Sequence, residues 1–114
     1  MEKNHNILIL KSGKTTKRIA HSELSHVCCD EYVCDLHFAD GTKHTFTKPL
    51  AFFEKTLPEA DFFRISHSVI VAFRHTKEVV TLGRRLHNAV MNDGSVFPIA
   101  SRRWKAFKER YHGK

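Results

Sequence analysis

Long apolar runs are missing from this 114-residue chain. None approaches the roughly 20 residues of a membrane-spanning helix. The leading "MEKNHNILIL" has neither the apolar length nor the small-residue cleavage site of a secretory signal. Both absences argue against a membrane partner. Cysteine is scarce: Cys28, Cys29 and Cys34 are odd in number and show no CxxC spacing. That pattern argues against a disulfide scaffold and for a reducing cytoplasm, with the three thiols acting as small hydrophobes in a strand pair. With 5 glycines and 3 prolines the chain has no low-complexity tract or internal linker. Phosphate-cradling glycine loops and nucleophile elbows are also absent. Acidic residues almost vanish after residue 63, where only Glu78, Asp93 and Glu109 occur, at unrelated positions. A nuclease needs an acid, a base and usually metal-binding carboxylates, so the reading is of a non-enzyme. The nine histidines make no HxxxH on a helix. His37 and His44 could face each other across a hairpin, but two ligands do not close a metal site. No metal or cofactor is expected.

What the chain does have is uneven charge. Residues 1–63 carry eight Lys/Arg and nine Asp/Glu, a net −1, whereas residues 64–114 carry eleven and three, a net +8. Basicity confined to one half of a small domain presents a positive face to a polyanion, and nucleic acid is the first candidate. A hydrophobic content of 41% with 27% charged residues supports one modest core. The polar leader 1–5 precedes a single domain over residues 6–114.

The pattern within that domain is mostly β. "NILIL" and "KTTKRIA" read as paired strands around Ser12-Gly13, and "HSEL" as one helical turn. "YVCDLHF" alternates, with Val33, Asp35 and His37 on one face and Cys34, Leu36 and Phe38 on the other. Asp40-Gly41 and Asp93-Gly94 are hairpin turns. "KPLAFFEKTLP" breaks the alternation with a short helix that Thr47 can cap and Pro58 stops. "VIVAF", "KEVVTL" and "HNAVMN" are further strands. Ser101 is expected to cap a closing helix whose Trp104, Phe107 and Tyr111 form an apolar stripe. Arg84-Arg85 read as a solvated hairpin tip.

Two clusters carry chemistry. In "FFRISHSVIVAF" the apolar residues, Phe63, Ile70 and Val71 among them, belong to a core. Arg64, Ser66, His67 and Ser68 offer a forked donor, two small hydroxyls and an imidazole for phosphate or base edges. Arg64 could instead pair with Glu59 or Asp61, and His67 could be a plain loop histidine. In "ASRR" the unpaired amides of a helix start and two guanidinium groups, Arg102 and Arg103, favour an anion, though a solvated helix face would look the same.

"FFRISHSVIVAF" followed by "NDGSVFPIASRRW" resembles the LytTR DNA-binding domain, the output module of many bacterial response regulators. The likeness runs back through "SHVCCDEYVCDLHFADGT" and the helix ending in "KTLP", from about Asn6 to Tyr111. Two positions depart from the family pattern: its usual histidine is Ser66 here, and its usual asparagine after the valine is Ala72. The resemblance implies a mainly β, elongated antiparallel fold with one or two short helices and a C-terminal helix. It implies sequence-specific double-stranded DNA binding in transcription regulation, through loops entering the major groove. Carried over by position, His67 and Arg103 would reach bases. A third contact would come from the loop of Asp30, Glu31 and Tyr32. Arg64, Ser66, Ser68, Arg102 and Lys105 would support it or hold phosphates. It further implies a receiver domain or sensor partner outside this chain and two copies on repeated half-sites. The competing readings are a small basic β-rich RNA-binding module and, less favoured, a nuclease using His67. Preference for a duplex over single strands and RNA separates the first two, and divalent-dependent cleavage marks the third.

Overall fold

The computed structural model describes residues 7–113, so the 1–5 leader lies outside the described residues. Its centre is a five-stranded antiparallel sheet in the order β5-β4-β3-β7-β6. These strands are β3 (Leu24–Asp30), β4 (Val33–Phe38), β5 (Lys43–Phe46), β6 (Phe62–Arg64) and β7 (Val69–Ala72). A two-stranded ribbon, β1 (Ile7–Ser12) with β2 (Thr15–Ala20), precedes it, and a three-stranded sheet follows. That sheet comprises β8 (Thr76–Leu82), β9 (Leu86–Met91) and β10 (Val96–Pro98) in the order β10-β9-β8. Helices α1 (Leu50–Thr56) and α2 (Ser101–His112) complete the domain, which measures 48 × 32 × 25 Å. The fold is mainly β, antiparallel and elongated, with a single-turn 3₁₀ segment at His21–Glu23 where "HSEL" was expected to turn.

The apolar run in "VIVAF" is explained by its place in this order. β7 lies inside the sheet and is covered on both faces, so it has no wet side to alternate with. Ile70 and Ala72 join the cluster formed with Leu8, Leu10, Leu36, Leu50 and Phe53. Val69 and Val71 join Ile65, Ala89, Met91 and Phe107 on the opposite face. One face thus carries β1–β2 and α1, and the other carries the second sheet and α2. β4 alternates as the sequence predicts, burying Cys34, Leu36 and Phe38.

Three expectations need correction. Phe63 is half-buried, and its neighbour Phe62 is the buried one. β6 is an edge strand, and Phe73, Phe107 and the Arg110 guanidinium lie against the Phe63 ring. The α1 N-cap is Pro49, not Thr47, and the α2 N-cap is Ala100, with Ser101 the first helical residue; neither end has a side-chain cap bond. The apolar stripe of α2 does pack into the second core cluster as expected, Phe107 fully enclosed and Trp104 and Tyr111 half-buried against it. Cys29 and Cys34 are joined as a disulfide, leaving Cys28 the free thiol. The two-residue Glu31-Tyr32 turn sets Cys29 directly opposite Cys34. Cysteines flanking a tight turn at equal distance are the sequence signal for this pair, one that a CxxC spacing does not capture. Cys34 Sγ also lies 3.0 Å from the Lys48 carbonyl, an acceptor for its thiol once the bond is reduced.

Candidate nucleic-acid interface

The polar segment 65–68 is a short loop between two strands that are paired immediately beside it, Arg64 with Ile70. Backbone bonds fix it from both sides: Cys29 N–H donates to the Ser68 carbonyl at 2.8 Å and Ala100 N–H to the Ile65 carbonyl at 2.8 Å. The first bond brings the β3 end against the loop, and the second brings the start of α2. Three segments distant in sequence therefore meet at one end of the sheet. Within the loop, Ser66 Oγ accepts from the Ser68 N–H at 3.2 Å and stands 3.5 Å from the Ser68 hydroxyl.

Arg64 holds this loop in shape. Its Nε donates to the Ser66 carbonyl at 3.2 Å, Nη2 to the His67 carbonyl at 2.9 Å, and Nη1 to Glu54 of α1 at 2.8 Å. The acid is Glu54, rather than Glu59 or Asp61. With all three nitrogens engaged and its side chain only 20% exposed, Arg64 is a positioning residue. His67 by contrast is exposed, and its ring has no hydrogen bond among the described residues.

Arg103 is half-buried and poorly satisfied. Its Nη1 donates to the Arg64 carbonyl over 3.3 Å, and its Nε is enclosed with no hydrogen-bond partner. Arg102 and Lys105 are exposed on α2. Arg84 and Arg85 are exposed at the β8–β9 tip, as expected, and with Ser101 and Trp104 they line a depression of about 220 Å³ at the start of α2. The β8–β9 hairpin reaches them there because His87 stacks on Trp104 with centroids 3.7 Å apart. Sequence reasoning missed this placement, since no local pattern links Arg85 to Ser101.

The Asp30–Tyr32 loop borders the same end. Asp30, Glu31, Tyr32, Arg64, His67 and Ser68 all line one open groove. Tyr32 is 66% exposed, more than a tyrosine with only a packing role would be. Glu31 has φ 61°, the left-handed region that side chains other than glycine avoid. Glu31→Gly should relieve that strain, net of glycine's extra chain entropy, by about 0.5–1 kcal/mol. It should also remove a charge that phosphates repel. The expected result is a melting temperature higher by about 2–6 °C, with tighter duplex binding, measured by thermal unfolding and titration.

On the second-sheet face of β3 and β4 lies a cluster that sequence spacing did not show. His26 pairs with His37 in register, and their rings stack with centroids 4.5 Å apart. His44 is instead opposite Leu36, on the other face, so the His37–His44 pairing does not occur. Cys28 lies two residues along from His26. Burial, with His37 adding to it, lowers the His26 pKa to about 4, and burial followed by the Asp35 charge raises the Cys28 thiol to about 11.

Comparison with known proteins gives one consistent answer. Residues 14–112 match the model of the LytTr DNA-binding domain. Over 69 residues the chain is 32% identical to the sensory transduction protein LytT of Bacillus subtilis, covering 60% of this chain and 29% of that protein. The chain thus spans under a third of that relative's length. The solved LytTr DNA-binding domain of a Bacillus cereus response regulator superposes with a TM-score of 0.79 at 19% identity, covering 94% of this chain and 97% of the other. Among the described residues no helix is long and apolar enough to cross a membrane.

Proposed function

The chain belongs to the LytTr DNA-binding domain family, and we propose that it reads a specific double-stranded sequence in transcription regulation with the loop cluster at one end of its central sheet. The observation that carries this reading is the convergence of His67, the Tyr32 turn and the start of α2 through the Arg64 and Ala100 bonds. Loops braced in this way can enter a major groove without a recognition helix, because the sheet behind them holds their spacing. His67 and Tyr32 are exposed and offer base-edge contacts. Arg103 is the candidate for guanine. Its single 3.3 Å bond and unpaired Nε mean that little is given up when it turns to a better acceptor. Arg64 stays in place, with Ser66 and Ser68 shaping the loop, while Arg102 and Lys105 hold phosphates. The chain catalyses nothing in this reading. Its partners are duplex DNA, a receiver or sensor module outside this chain, and a second copy on a repeated half-site, all within the bacterial cytoplasm.

Selection of binding sites from random duplex DNA, with single-stranded DNA and RNA as competitors, tests the reading. Equal competition by RNA would favour the RNA-binding alternative. Reading and holding separate on α2. Arg103→Ala should cost about 1–3 kcal/mol on the selected site and relax preference at one base position, whereas Lys105→Ala should weaken all sequences alike and lower the salt slope by about one unit. Titrations on the selected and a scrambled duplex at two salt concentrations measure both. Equal weakening of the two duplexes by Arg103→Ala would make Arg103 an anchor only.

A further inference from the structure

From the cluster on the second-sheet face of β3 and β4, we propose that His26, Cys28 and His37 bind one Zn²⁺ ion, with water in the fourth position. The nitrogen and sulfur donors of the three residues already lie within 4.8 Å of one another. Zinc bound at its usual distances to nitrogen and sulfur needs donors about 3.3–3.8 Å apart. Closing that gap requires movement of the two half-buried side chains. Cys28 must turn its thiol, and the His37 ring must swing out of its stack on His26.

The fixed member is His26, 1% exposed. Its Nδ1 lies 2.9 Å from the Ser25 hydroxyl and its ring 4.9 Å from Phe97. A hydroxyl on one ring nitrogen leaves the other, Nε2, to the ion and fixes the ring's orientation, as outer-shell partners of metal-bound histidines do. The backbone supplies the convergence: His26 and Cys28 point from the same face of β3, and His37 is the cross-strand partner of His26.

Asp93 sits in the turn between β9 and β10, and its charge acts on both imidazoles. Its Oδ1 accepts the Ser95 N–H at 2.9 Å, which fixes the carboxylate in the turn. The ion displaces the thiol proton and meets one thiolate, with the Asp93 charge acting on the same imidazoles from outside the ligand set. Two imidazoles with a thiolate suit a borderline-soft ion such as Zn²⁺ and disfavour Mg²⁺ and Ca²⁺, which take oxygen donors. Nothing in the inference depends on DNA recognition.

The test is titration of chelator-treated, reduced protein with Zn²⁺ and with Co²⁺ as its spectroscopic substitute, following absorption and melting temperature. One equivalent should bind, produce a sulfur-to-cobalt charge-transfer band and raise the melting temperature with metal concentration. Cys28→Ser should abolish the band, and His37→Ala should weaken Zn²⁺ binding at least about tenfold. His44→Ala, on the opposite face, should change neither. Circular dichroism checks that the variants fold, and the wild-type spectrum needs no variant. A wild-type protein without the band would overturn the proposal. So would a band that persists in Cys28→Ser, since it would come from reduced Cys29 and Cys34. Loss of binding in His44→Ala would place the ion elsewhere.

Discussion

Raising salt from about 50 mM to about 200 mM is expected to weaken duplex binding by roughly 10²- to 10⁴-fold. The size follows from about 5–8 phosphate contacts, each releasing counterions, for a log–log slope of roughly −4 to −7. The second half of the chain carries the +8 net charge, and part of it lies on α2 and beside its start, the face proposed to meet DNA. Arg102, Lys105 and Lys108 are exposed along α2, and Arg84 and Arg85 sit beside Ser101 at its start. Only Glu109 among the three acids of this half lies on the helix. Arg64 contributes nothing to the count, since Glu54 already neutralises it. Titration of a selected duplex over a salt series measures the slope. A nearly flat dependence would remove the electrostatic premise and leave the positive half without a role.

The distribution of charge, the strands and the hairpin turns were readable in the sequence because each rests on local chemistry. The Asp40-Gly41 turn is an instance: Asp40 Oδ1 accepts the Thr42 N–H at 2.9 Å and its hydroxyl at 2.7 Å, all within three residues. Those bonds, the hydroxyl's first, hold the Asp40 carboxyl below its ordinary pKa. What was not readable depends on contacts between distant segments. The Arg64 partner comes from α1 ten residues earlier, and Arg103 meets Arg64 across a separation of 39 residues. His26 meets His37 only because the Glu31-Tyr32 turn sets the register of β3 on β4. The motif resemblance located the candidate site, yet it could not say that Arg64 braces the loop while His67 is left exposed. The engagement of Arg64 with the loop is a property of the packed sheet end.

Phe107→Ala is expected to destabilise the domain by about 3–5 kcal/mol, the range for emptying a fully enclosed phenylalanine site. Domains of this size hold about 5–15 kcal/mol in total, so the loss is a large part of the whole. Phe107 is 0% exposed and is the hub of an aromatic group, with ring centroids 5.4 Å from Phe63, 5.6 Å from Phe73 and 5.4 Å from Tyr111. It is also the one fully buried side chain of α2. The helix is therefore docked chiefly through this residue, and Arg102, Arg103 and Lys105 ride on it. Phe63→Ala should cost roughly half as much, because its ring sits at the sheet edge with solvent on one side. The three variants make a pattern that separates packing from contact. Phe107→Ala should lower the melting temperature and DNA affinity together, Phe63→Ala should lower both less, and Arg103→Ala should lower affinity at nearly unchanged melting temperature. Thermal unfolding alongside duplex titration reads the pattern. An unchanged melting temperature in Phe107→Ala would mean that α2 is held by something other than its aromatic face, and the helix could then move independently of the loops it is meant to complete.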